Sequence, residues 1–119
     1  MDEQRSFEQF LIRLIDKGNN LAERMARDIV TTTGSFVLTA KLLSIDLSRA
    51  FPGLQIEVAH RSEVPDFRVR LHQEEDLLLD YLLTEEVIED SWMSYSQRYL
   101  VIWNIIMENA RAALVKSQA

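Results

Sequence analysis

The sequence predicts an α+β fold, mainly helical, with four to five helices and one antiparallel β-hairpin at about 54–60 and 67–72. Three observations predict it. Apolar residues recur at helical spacing over about 6–32, 36–50 and 91–116. Strict alternation of apolar and polar residues is confined to two short runs, LQIEVA and FRVRLH. The link between those runs, RSEVPD, has the composition of a turn. A length of 119 residues is that of a single domain, 1–119, able to bury its own core.

Ser6 and Gln9 have the spacing of a capping box, and Phe7, Phe10, Leu11, Leu14 and Ile15 then follow a helical period. Gly18 suits a C-cap, and Asn20 with Glu23 suits a new start. The stripe also runs on through Leu21, Met25 and Ile29, so one bent helix over about 6–32 is the alternative. Thr31-Thr32-Thr33-Gly34 ends this stretch, because β-branched residues weaken a helix and glycine stops it. Ser35 then caps a helix over 36–50, with a strand over 36–43 as the alternative. Phe36, Ala40, Leu43, Leu47 and Ala50 fall on one helical face, and Leu38, Leu42 and Ile45 nearly opposite, which predicts cover on both sides. Pro52-Gly53 forces the end.

In the hairpin the alternation sets the register. Side chains directly opposite share a face, so Val58 opposes Val69 and Ile56 opposes Leu71. The other face then pairs Glu57 with Arg70, Ala59 with Arg68, and Gln55 with His72. The apolar face must pack on helices, because two strands alone are marginal in water.

Residues 74–90, EEDLLLDYLLTEEVIED, hold eight of the chain's 19 acids and no lysine or arginine; over the rest, 13 bases face 11 acids. Read as one helix, this segment turns Leu77, Leu78, Tyr81, Leu82 and Ile88 to the core. Leu79, Leu83 and Val87 then form a ridge on the opposite side, flanked by Asp76, Asp80, Glu86 and Asp90. The alternatives are a helix covered within its own fold, or a break at Thr84, a good N-cap. A final helix is expected from Asp90 or Ser91 to about Lys116. Trp92, Tyr95, Tyr99, Ile102, Trp103, Ile106, Ala110 and Ala113 make one stripe of it, and Met93, Leu100, Met107 and Leu114 a second.

The chain has no cysteine, which removes disulfides, thiolate catalysis and zinc–thiolate sites and fits a cytoplasmic setting. The start, MDEQRSFEQ, is too acidic and polar for a secretory signal, and YLVIWNIIM (99–107) is too short to span a bilayer. A net charge of −6 disfavours direct nucleic-acid binding. There is no glycine-rich phosphate loop and no nucleophile elbow, and His60 and His72 fall at opposite ends of the hairpin, so no catalysis, cofactor or metal is expected. The expected function is that of a small acidic protein-binding module of inhibitor, immunity or chaperone/assembly type. Its ridge and acids (Asp76, Leu79, Asp80, Leu83, Glu86, Val87 and Asp90) would meet a basic or amphipathic surface on another protein. Two rival readings are a nucleic-acid-mimicking inhibitor and a small-ligand or metal-dependent enzyme around His72. Apolar residues on both sides of several helices also predict a homodimer, formed through helices or a hairpin edge.

Overall fold

The computed structural model describes residues 2–60, 66–84 and 94–118. Helices α1 (Asp2–Asp16) and α2 (Asn20–Thr33) pack on each other across a three-residue link. Two helices form, and not one bent one, because Gly18 reverses the chain at φ 85°. The Gly18 amide donates to Ile15 O at 2.9 Å and the Asn19 amide to Leu14 O at 3.0 Å, which closes α1 as a Schellman motif. Asn19, one residue before the expected cap, then starts α2 by accepting from the Ala22 amide at 3.0 Å. Ser6 and Gln9 lie inside α1 and cap nothing, since that helix already runs from Asp2.

Helix α2 ends at Gly34, φ 70°, whose amide donates to Val30 O at 3.0 Å. Ser35 begins α3 (Phe36–Ala50) by accepting from the Leu38 amide at 3.3 Å. The same hydroxyl also hydrogen-bonds the buried carboxylate of Glu8 on α1. Helix α3 is covered on both sides, as its pattern predicts. Ala40, Leu43 and Leu47 join the core over the sheet, while Leu38 and Leu42 join a second core with Leu11, Ala22, Ala26 and Val30. The polar period of α3 is spent on a third direction, where Asp46 faces α2.

There a half-buried network links three helices. Arg27 donates to Asp46 (Nη2 to Oδ1, 2.8 Å) and to Glu23 (Nη2 to Oε2, 3.1 Å), and Arg49 grips Glu23 with two bonds of 2.7 and 3.0 Å. Tyr99 Oη donates to Asp46 Oδ2 at 2.9 Å. Arg49, and then Arg27, hold the Glu23 carboxyl below its ordinary range, and burial beside Asp46 pushes the Tyr99 phenol up. Glu23 and Arg27 stand four residues apart on one helix, but Asp46, Arg49 and Tyr99 meet them only through the fold.

Strands β1 (Gln55–His60), β2 (Phe67–Gln73) and β3 (Asp76–Leu83) form an antiparallel meander with β2 in the centre. The β1–β2 register is the expected one: Ile56 opposite Leu71, Glu57 opposite Arg70, Val58 opposite Val69, Ala59 opposite Arg68 and Gln55 opposite His72. The helix expected over 74–90 is not formed in its first half, where Asp76–Leu83 is a third strand. The physical reason lies in β2. Its second edge needs a partner, and β3 supplies one while setting Leu79, Tyr81 and Leu83 opposite Leu71, Val69 and Phe67 on the core side. Leu78 is the extra residue of a bulge between the Leu71–Leu79 and His72–Leu77 pairs, which breaks the alternation that would have announced a strand.

The β2–β3 turn is the two residues Glu74-Glu75, and Glu74 takes a left-handed φ of 56°, a conformation better suited to glycine or asparagine. Glu74→Gly is therefore expected to raise the unfolding free energy by about 1 kcal/mol. Glu75→Gly, whose φ is not positive, should bring no gain. Urea midpoints of the two variants test this; equal shifts would mean that the turn is not strained.

Helix α4 (Tyr95–Gln118) packs on α2, α3 and β3. It opens with a reciprocal capping box: the Gln97 amide donates to Ser94 Oγ at 3.2 Å and the Ser94 amide to Gln97 Oε1 at 3.0 Å. Ile102, Ile106, Met107 and Ala110 close the core over the sheet. Leu100, expected on a core stripe, is exposed, and Trp92 and Met93 lie outside the described residues. Among the described residues no helix is long and apolar enough to cross a membrane.

Candidate functional site

The described helices pack on one side of the sheet. The opposite face carries Gln55, Glu57 and Ala59 from β1, Arg68, Arg70 and His72 from β2, and Leu77, Asp80 and Leu82 from β3. No described element covers it, and strand alternation places all of these side chains on one surface.

At its centre Asp80 is clamped by arginines of the neighbouring strand. Arg68 Nε and Nη2 donate to Asp80 Oδ1 and Oδ2, both at 2.8 Å, a two-bond fork. Arg70 Nε stands 3.6 Å from Asp80 Oδ2, with Glu57 Oε1 4.0 Å from its Nη1. The hydrogen bonds from Arg68 hold the Asp80 carboxyl below its ordinary range, with Arg70 adding to the effect. These are exposed pairs and add little to stability. What they do is hold Arg68 against Asp80 by two bonds and offset the charge of the Asp80 carboxylate.

Leu77 and Leu82 flank the clamp, each 52% exposed, opposite His72 and Arg68 and so ~13 Å apart at ~3.3 Å per strand residue. Leu82 borders a shallow cleft of about 430 Å³ shared with Ala59, His60, Asp66 and Arg68. Leu77 borders another, of about 490 Å³, between the start of β3 and Asn109, Ala112 and Ala113 of α4. Past Leu77 the hairpin tip presents Glu74, Glu75 and Asp76, all exposed.

The residues expected to contact a partner are thus placed very differently from one another. Asp76 is exposed at the tip, and Asp80 is held by Arg68 and Arg70. Leu79 is half-buried against the core and Leu83 is fully buried, so a ridge of Leu79 with Leu83 is not formed. Glu86, Val87 and Asp90 lie outside the described residues. The exposed leucines are the ones a helical reading turns inward. A strand reading of DLLLDYLL recovers Leu82 as outward, while Leu77 follows only once the bulge at Leu78 is known.

His72 lies half-buried on this face between Gln55 and Leu77, and His60 at the opposite end of the sheet on its core side, opposite Phe67. Burial lowers the proton affinity of His60, and the nearby Glu8 and Asp66 carboxylates oppose that shift. Among the described residues no three His, Asp or Glu side chains are grouped to hold a metal ion. No protein-family model, curated protein or solved structure matches the chain significantly.

Proposed function

We propose that this is a small protein-binding module, of the inhibitor, immunity or chaperone/assembly kind, whose contact surface is the open face of the sheet. The observation that carries the reading is the pair of half-exposed leucines, Leu77 and Leu82, on a face that no described element covers. They serve as apolar anchors, and between them Arg68 and Arg70 are offset by Asp80 and Glu57, so the middle of the face carries little net charge toward a basic segment. The partner is a protein with an amphipathic, basic segment. Its apolar residues seat on the leucines, and its bases meet Glu74, Glu75 and Asp76 at the tip. Binding, not catalysis, is the role proposed, and the cysteine-free chain suits a cytoplasmic setting. The arginines over Asp80 weigh against a nucleic-acid mimic, whose carboxylates would stand unpaired in a phosphate-like array.

The test is the double variant Leu77→Ser, Leu82→Ser. Co-purification with the native-host partner should fall roughly tenfold or more, since the two half-exposed leucines together stand to bury apolar surface worth ~1.5–3 kcal/mol on contact. The thermal midpoint should hold, because both side chains are half-exposed. Undiminished capture by this variant would remove the sheet face from consideration.

A further inference from the structure

A second surface, independent of the sheet face, lies on α1. Phe7 and Phe10 are 42% and 48% exposed, although the rest of that helix is well seated: Leu11 is buried, and Ile12, Leu14 and Ile15 pack against the second core. Glu3, Phe7, Phe10, Leu14 and Lys17 follow a spacing of four, three, four and three residues, which on a helix draws one continuous stripe. Glu3 begins the stripe and Lys17 ends it. Lys17 stands one residue past Asp16, but its amide still donates to Arg13 O at 3.2 Å, so it completes the last turn. Phe10 sits midway, seven residues from each charge, or about 10 Å at 1.5 Å per residue.

This arrangement has a specific symmetry. An acid at one end, a base at the other and aromatic residues between them are complementary to the same stripe turned end for end. Across a two-fold axis at Phe10, Glu3 of each copy meets Lys17 of the other, and the phenylalanines of the two helices pack together. A parallel arrangement would instead set Glu3 against Glu3 and Lys17 against Lys17. We propose that the protein forms a two-fold dimer in which α1 lies antiparallel on the α1 of a second copy, centred on Phe10.

Sedimentation velocity of the full chain at micromolar concentration tests this. The wild type is expected to sediment as a dimer at low salt. Phe10→Glu places two carboxylates on the axis and should weaken association by roughly a hundredfold. Glu3→Lys alone and Lys17→Glu alone each set like charges together at both ends of the stripe and should weaken it by about tenfold. The double variant Glu3→Lys, Lys17→Glu restores the pairing with the signs reversed and should recover the dimer. A monomeric wild type, or a dimer indifferent to Phe10→Glu, overturns the proposal. A double variant no better than either single one overturns the antiparallel pairing. All the positions changed are exposed, so unchanged far-ultraviolet circular dichroism spectra would show that the fold is kept and association alone was altered. Because Leu77 and Leu82 are untouched, failure here leaves the reading of the sheet face standing.

Discussion

Replacing Phe67 by alanine is expected to lower the unfolding free energy by about 3–5 kcal/mol. Phe67 is fully buried at the start of the central strand, opposite His60 on one side and the equally buried Leu83 on the other. Its ring meets the edge of Phe36 with centroids 6.0 Å apart, tying the sheet to the first turn of α3. Truncation removes that contact and leaves a void that two strands and a helix border and none can easily fill. A domain of this size is stable by only ~5–15 kcal/mol, so the variant should sit near the edge of folding. Urea unfolding followed by far-ultraviolet circular dichroism measures the effect, and Phe67→Leu should retain more than half of the lost stability. A loss under about 1 kcal/mol for the alanine variant would mean that this corner of the core repacks freely.

Gly34→Ala is expected to destabilise by about 2–4 kcal/mol, from two separable causes. Residue 34 holds a left-handed φ of 70°, and a methyl group there would stand closer than 3.0 Å to the Tyr95 ring and the Arg98 guanidinium. Arg98 is itself fixed. Its Nη2 donates to Gly34 O at 3.2 Å, and its guanidinium lies 5.1 Å over the Phe36 ring and 4.8 Å over the Tyr95 ring. Any added group at 34 therefore lifts the start of α4 from the α2–α3 corner. Gly53 provides the control, because its φ of 95° is also left-handed but nothing lies within 4 Å of a methyl placed there. Gly53→Ala should show the backbone strain alone, about 1–2 kcal/mol. Equal losses at the two positions would show that α4 yields without resistance.

What could be read in advance depended on whether the signal was periodic and local. The two covered faces of α3, Leu38 and Leu42 against Ala40, Leu43 and Leu47, follow from a 3.6-residue period that the fold left intact. The β1–β2 register follows from alternation alone. Strand β3 was hidden for three reasons. Leu77-Leu78-Leu79 is a run with no alternation, the bulge shifts its phase, and the turn before it uses glutamates where glycine or asparagine is the usual mark. Helix α4 opens on Ser94 and Gln97, the same spacing that Ser6 and Gln9 offer without capping anything, so the motif has force only where the chain really enters a helix. In the candidate site, the pairing of Glu57 with Arg70 was legible across the hairpin. The claim of Arg68 on Asp80 was not, because it required a neighbouring strand that the acids disguised as a helix.

The place of α4 in the fold also sets an order in time. Up to Leu83, each described element meets partners close to it in the chain: α1 with α2, α2 with α3, α3 with β1, and each strand with the next. Helix α4 alone reaches far back, Arg98 to Gly34 across 64 residues and Tyr99 to Asp46 across 53. During synthesis the earlier elements can assemble as they leave the ribosome, but Leu43, Leu47, Val69 and Leu71 stay without Ile102, Ile106 and Met107 until α4 has emerged. A chain cut short before Tyr95 would therefore expose an open apolar floor to chaperones and proteases, and only a copy that includes α4 can conceal it.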